Sequence, residues 1–151
     1  MRAENLSMRV ALGSDMVGEL PEALDCWLRG HGHDVVRFGA LVPDGDDAWP
    51  SVGREVANCV ASGEAHCGVL CCWTGTGVSI AANKVAGVRA ALCADAATAA
   101  GAREWNDANV LCVSLRATSI PVAQEMLEAW FSGNPTTDPA YRSMIDDISK
   151  I

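Results

Sequence analysis

The chain has 151 residues, half of them apolar and a fifth charged, which suits one soluble domain with a real core. Lys and Arg number 11 against 19 Asp and Glu, a net charge of −8, and with no basic patch nothing points to nucleic acid. Asp, Arg or Gly breaks every apolar run well short of the ~18 residues of a membrane span, and the first twenty residues lack the charged-then-apolar order of a secretion signal.

The seven cysteines are Cys26, Cys59, Cys67, Cys71, Cys72, Cys93 and Cys112. An odd number without a signal peptide reads as reduced thiols in a cytoplasmic protein. Most lie in apolar runs, where Cys behaves as a small hydrophobe. There is no CxxC and no Cys/His quartet at zinc spacing, so no structural metal is expected. His31, His33 and His66 read as surface residues.

In chain order, residues 1–7 read as an extension before a single domain over 8–151, with Met8 a second possible start. Met8–Gly13 is a buried strand. Leu24, Trp27 and Leu28 fall at helical spacing within Pro21–Arg29, which Gly30 and Gly32 end. Asp34–Phe38 is a second strand, and Gly39–Pro50, rich in Asp, Gly and Pro, is a loop. Ser51 is placed to cap a helix with the stripe Val52, Val56 and Val60, stopped by Gly63. Cys67–Cys72, all apolar, has the character of a central parallel strand. A helix over Val78–Val85, a strand over Arg89–Cys93 and an Ala-rich helix over Asp95–Trp105 follow. Val110–Ser114 is the last strand, and Ser119 caps a helix running to Phe131, with Pro121 in its first turn. In the segment 132–151, a linker over Ser132–Pro139 leads to a helix with Tyr141, Met144, Ile145, Ile148 and Ile151 on one side. That helix either closes its own core or packs on a partner subunit.

Strands alternating with helices imply an α/β fold: a three-layer α/β/α sandwich around a five-stranded parallel, Rossmann-like sheet. Ligands in such sheets sit beyond the carboxyl ends of the strands. The strongest chemical signal lies at one of those ends, Cys71–Lys84 (CCWTGTGVSIAANK). Gly75 and Gly77 allow a tight bend that exposes backbone N–H groups, and the helix that follows adds its positive end. Such a turn suits a phosphate or an oxyanion formed during reaction, with Thr74, Thr76 and Ser79 adding hydroxyls. The plainer alternative is an ordinary strand-to-helix turn capped by Thr74 or Thr76. It is neither a dinucleotide fingerprint, since Ile80 stands where the third Gly belongs, nor a Walker A loop. Cys72 ends the strand, where a thiol beside the helix end can act as base or nucleophile; the plainer alternative is a buried core cysteine like Cys67, Cys71 and Cys93. Alternation puts Cys71 on the opposite face. Asp15 ends the first strand, placed to bind sugar hydroxyls, relay a proton or cap the first helix.

Gly13–Asp15 (GSD), Cys72–Lys84, Arg89–Cys93 (RAALC) and Asn106–Leu111 (NDANVL) together resemble the ribose-5-phosphate isomerase B and galactose-6-phosphate isomerase family. The resemblance covers about Met8 to Phe131. It implies cofactor-free interconversion of aldose and ketose phosphates through an enediolate, in homodimers or larger assemblies such as homotetramers, with sites at the dimer interface. Carried over, Cys72 is the base. Backbone N–H groups of Gly75, Thr76, Gly77, Val78 and Ser79 hold the enediolate oxygen, and Thr74 helps position it. Asp15 and Asn106 hold hydroxyls, and Arg116 and Arg142 bind phosphate. Some relatives place a Glu base where this chain has Val78, so the chain resembles the Cys type.

Four departures stand out. Met16 and Trp105 replace histidines, the second of which opens the sugar ring. Asp138 replaces a phosphate-binding arginine, and Trp73 replaces a glycine. An indole does not exchange protons as imidazole does. An Arg-to-Asp exchange moves the clamp by two charges against a dianion. The expectation is an isomerase of short or open-chain sugars that need no ring opening. The alternatives are an ordinary ribose-5-phosphate isomerase, a subunit of a hetero-oligomeric isomerase, and a non-catalytic sugar-phosphate-binding homologue.

Overall fold

The computed structural model describes residues 6–151. Of the expected extension at 1–7, only Leu6 and Ser7 are among them, and the rest lies outside the described residues. Ser7 is tied down, its Oγ donating to the carbonyl of Gly32 at 2.7 Å.

The strands are β1 (Arg9–Ser14), β2 (Asp34–Gly39), β3 (Cys67–Cys72), β4 (Ala90–Leu92) and β5 (Val110–Ser114). Between and after them run α1 (Glu19–Gly30), α2 (Trp49–Ala61), α3 (Thr76–Asn83), α4 (Ala96–Asn106), α5 (Ile120–Ser132) and α6 (Pro139–Ile148). The sheet is parallel, in the order β2-β1-β3-β5-β4. Strand order reverses between β1 and β3, the crevice where parallel sheets take ligands.

Each face of the sheet has its own core. Leu24 and Leu28 of α1, Ala99 of α4, and Met126 and Leu127 of α5 pack with Val69 and Cys71 on one face. Val52 and Val56 of α2 and Val78 and Ala82 of α3 pack with Leu70 and Cys72 on the other. The expected alternation of Cys71 and Cys72 is therefore realised, and β3 is buried along its whole length. Burying one Val or Leu side chain is worth about 1.5–3 kcal/mol, so these apolar layers supply the main stabilisation.

Four expectations need correction. Ser51 is no cap: α2 starts two residues earlier, with Pro50 in its first turn, where a missing N–H costs nothing. Neither Thr74 nor Thr76 caps α3, because their hydroxyls bond each other at 2.7 Å. Asp15 does not cap α1, whose N-cap is Gly18 without a side-chain bond. His33 is not a surface residue. It is 6 % exposed, stacks on Phe131 at 4.3 Å, and its Nδ1 accepts from the N–H of Met8. Burial lowers its pKa.

The carboxyl end of the chain divides its contacts. Thr136 N–H donates to Glu104 O on α4 at 2.8 Å, and α6 buries Ile145. Tyr141, Met144 and Ile148 stay exposed.

Candidate functional site

The carboxyl edge of the sheet is built around the end of β3. Cys72, 4 % exposed, is followed by a turn in which Gly75 takes φ +75°. A Cβ there would lie 3.1 Å from Ser114 N and from Val113 C on β5. Both the left-handed backbone and the close approach require glycine. The N–H of Gly75 turns back onto Cys72 O at 3.2 Å, so the contribution of Gly75 is conformational rather than as a donor. The next N–H groups, of Thr76, Gly77 and Val78, open α3, where a helix has no internal acceptors for them. No side chain caps them. They form a set of free donors at the positive end of a helix.

Around this turn the structure gathers part of the expected set. Asp15 follows β1, with its N–H donating to Cys71 O at 3.3 Å. Its Oδ1 is buried without a hydrogen-bond partner. Burial, reinforced by nearby Asp47, raises its pKa, against a backbone hydrogen bond that lowers it. Arg116 N–H donates to Trp73 O at 3.0 Å, which puts Arg116 beside the turn with its side chain exposed. Met16 and Trp73 line one cleft of about 560 Å³ with Leu115 and Pro121. Thr74 and Thr76 are exposed at the turn.

Two members of the set face inward. The Val78 side chain is fully buried in the core, leaving only its backbone available. Ser79 lies beside the buried Cys112 thiol, whose pKa burial pushes up strongly.

Asn106, Trp105 and Arg142 are not brought to Cys72 within one chain. Helix α4 runs back from the carboxyl edge and ends at Asn106, just before β5 begins at Val110. Trp105 and Asn106 therefore lie at the amino edge. There they line a larger cleft of about 690 Å³ with Val85, Tyr141, Met144 and Ile148. Neither cleft includes Cys72, and the larger one is remote from the turn. The Trp105 ring folds back on its own helix, where a Cβ at Gly101 would meet Cζ3 at 2.8 Å. Asp138, which stands where an arginine was expected, serves its own helix. Its Oδ1 accepts from Ala140 N–H at 2.9 Å and caps α6. Arg142 is exposed on that helix.

Two asparagines in the quoted motifs prove to be architectural, a role their sequence context does not reveal. Asn83 donates to Ala90 O at 2.9 Å and accepts from Ala90 N–H at 2.8 Å, clamping the short edge strand β4 to the end of α3. Asn109 accepts from Arg89 N–H at 2.7 Å and donates to Gly87 O at 2.9 Å. Arg89 in turn donates to Asp107 O. Asparagine has both donor and acceptor at one end, as such a clamp requires. Among the described residues, no three His, Cys, Asp or Glu side chains are grouped to hold a metal ion. No helix there is long and apolar enough to cross a membrane.

The sequence model of the family described as Ribose/Galactose Isomerase matches residues 10–148. The chain belongs to this family. It is 37 % identical over 123 residues to the ribose-5-phosphate isomerase B of Escherichia coli, covering 81 % of this chain and 82 % of that one. It is 33 % identical over 125 residues to the D-erythrulose-4-phosphate isomerase of Pectobacterium atrosepticum, covering 82 % of each. The ribose-5-phosphate isomerase B structure from Clostridium thermocellum superposes with a TM-score of 0.87 at 33 % identity, covering 95 % of this chain and 96 % of that one. The parallel sheet and its flanking helices are thus those of the ribose/galactose isomerases, and the relatives named are isomerases of sugar phosphates.

Proposed function

We propose that the protein is a cofactor-free aldose–ketose isomerase of a short or open-chain sugar phosphate, with Cys72 as base. The observation that carries this reading is Cys72 at the strand end immediately before an uncapped, glycine-built helix N-terminus. As a thiolate, Cys72 removes the proton from the carbon next to the carbonyl. The electron pair moves onto the carbonyl oxygen, giving an enediolate whose negative charge faces the N–H groups of Thr76–Val78. Transfer of the hydroxyl proton from the adjacent oxygen to the former carbonyl oxygen, and return of the abstracted proton from Cys72 to the former carbonyl carbon, complete the isomerisation and restore the thiolate. Thr74 and Asp15 orient the substrate, and Arg116 meets the phosphate.

A second copy of the chain completes the site. Asn106, Trp105 and Arg142 lie at the opposite edge from Cys72, in a region that leaves Tyr141, Met144 and Ile148 exposed. In a homodimer this edge of one protomer meets the turn of its partner. Trp105 then presents a flat wall and no proton donor, which suits substrates that are already open. A tetrulose 4-phosphate cannot close a ring through its phosphorylated terminal oxygen, and the Pectobacterium relative bears such a substrate in its name.

Deuterium exchange followed by NMR tests the reading. The protein and Cys72→Ala are incubated in D2O with ribose 5-phosphate, erythrose 4-phosphate and erythrulose 4-phosphate. Label next to a carbonyl, lost in the variant, is the expected result. Folded protein that labels none of them would sink the enediolate reading and leave sugar-phosphate binding without turnover.

A further inference from the structure

The segment joining β2 to α2 lies at the same edge as the turn and is firmly anchored there. Ala40 N–H donates to Ser14 O at 2.9 Å, Val42 N–H to Gly39 O, and Gly45 N–H to Val42 O. Asp46 Oδ1 then accepts from Ala48 N–H at 3.0 Å, and α2 begins at Trp49 with Pro50 in its first turn. From this start α2 lies unusually close to α3. A Cβ at Gly53 would meet Ala81 Cβ at 2.7 Å. One turn earlier on both helices, a Cβ at Gly77 would meet Trp49 Cδ2 at 2.8 Å and Cε3 at 2.9 Å. Gly77 thus makes room for the indole, and the ring rests against the first turn of α3, where the free donors are. Trp49 is 46 % exposed. A large aromatic left half in water on a rigid helix start, against an oxyanion turn, is not explained by the core.

We infer that Trp49 is a substrate-positioning residue of this same site, packing its indole on the apolar C–H face of the bound sugar chain. The inference rests on the isomerase reading. Trp49 lies on the side of the turn away from the Met16, Trp73 and Leu115 cleft. The turn is thereby walled on both sides, by an indole over Gly77 and by a second, exposed indole at Trp73. An apolar wall packs on the C–H face of the chain and holds the sugar over the turn, which strengthens binding. Pro50 and the anchored loop mean that the wall is in place before substrate arrives, so its effect falls on binding more than on the chemical step.

The test is steady-state kinetics of Trp49→Ala and Trp49→Phe beside the wild type, on whichever of ribose 5-phosphate and erythrulose 4-phosphate the wild type turns over best. Thermal melts run alongside. Trp49→Ala is expected to raise KM about tenfold with kcat changed less than threefold, and Trp49→Phe to restore KM to within about threefold of wild type. An unchanged KM in Trp49→Ala, a loss confined to kcat, or a Phe variant as impaired as the Ala variant would each overturn the inference. Wild-type protein that turns over neither compound defeats the isomerase reading first. Binding of ribose 5-phosphate by calorimetry then decides: a Kd weakened about tenfold in Trp49→Ala supports the wall. An equal Kd, or no binding by the wild type, overturns it.

Discussion

Gly75→Ala isolates the geometry on which the anion turn depends. The position takes φ +75°, which costs a residue with a Cβ about 1–2 kcal/mol. The new methyl would also lie 2.5 Å from Leu92 Cδ1 and 3.1 Å from Ser114 N and Val113 C. Leu92 is exposed and free to swing aside, but the β5 backbone is not. Overpacking of this kind costs about 1–3 kcal/mol more, for a total of about 3 kcal/mol. Gly63 provides the control. It has φ +81° with nothing near its added Cβ, and it follows α2 at the other edge of the sheet, so Gly63→Ala should cost only about 1–2 kcal/mol. At this chain length 1 kcal/mol moves Tm by about 2–4 °C. The expected losses are about 6–12 °C for Gly75→Ala and about 2–8 °C for Gly63→Ala. Relief of the clash shifts the start of α3, and a misplacement approaching 1 Å lowers turnover as much as 100-fold. Gly63→Ala should turn over normally. The reasoning fails if both variants melt together, or if Gly75→Ala isomerises within twofold of wild type.

Mixing tests the shared site: Cys72→Ala and Asn106→Ala are each expected to be inactive, and together to recover about a quarter of wild-type activity once subunits exchange. No recovery after demonstrated exchange would place Asn106 outside the site. Asp25, whose carboxylate is nearly buried, accepts from Arg29 at 2.8 Å and from Arg37 at 2.7 Å. Asp25→Asn should cost about 2 kcal/mol in urea unfolding, and a loss under 0.5 kcal/mol would mean the network is decorative. Burial of His33 lowers its pKa, so the native state resists the proton that the unfolded chain accepts near pH 6.5. Stability should be full above that pH and fall as pH drops from 6.5 toward the lower native value, by at most about 1.4 kcal/mol per pH unit. His33→Gln should flatten this slope between pH 7 and 5, and an unchanged slope would assign it to other groups.

How much is legible in the sequence depends on whether a residue's neighbours are local. Cys67–Cys72 and Val110–Ser114 can be bounded to the residue, because a central parallel strand is apolar on both faces and ends where polar residues resume. The start of α3 is displaced from its expected place because Gly75, not a threonine, turns the chain into the helix. The start of α2 is hidden by Pro50, which reads as a loop residue in a run of Asp and Gly but fits a first helical turn. His33 looks solvent-exposed in the sequence because its burial comes from Phe131, nearly a hundred residues on in the chain.

The site follows the same rule. Cys72, Gly75 and Asp15 are legible because each sits at or just beyond the end of a strand, and a parallel sheet brings those ends together. The contact of Trp49 with Gly77 is not, because it depends on two helices approaching through Gly53 and Ala81. The same topology argues for the partner. A helix returning from β4 must end at the amino edge, so no rearrangement of side chains carries Asn106 to its own Cys72. A residue at that end of α4 can act on substrate only across an interface. Tyr141, Met144 and Ile148, exposed beside it, are the apolar surface such an interface would bury. Loss of Asn106 should therefore be cured by a second chain, whereas loss of the Gly75 turn and its free donors should not.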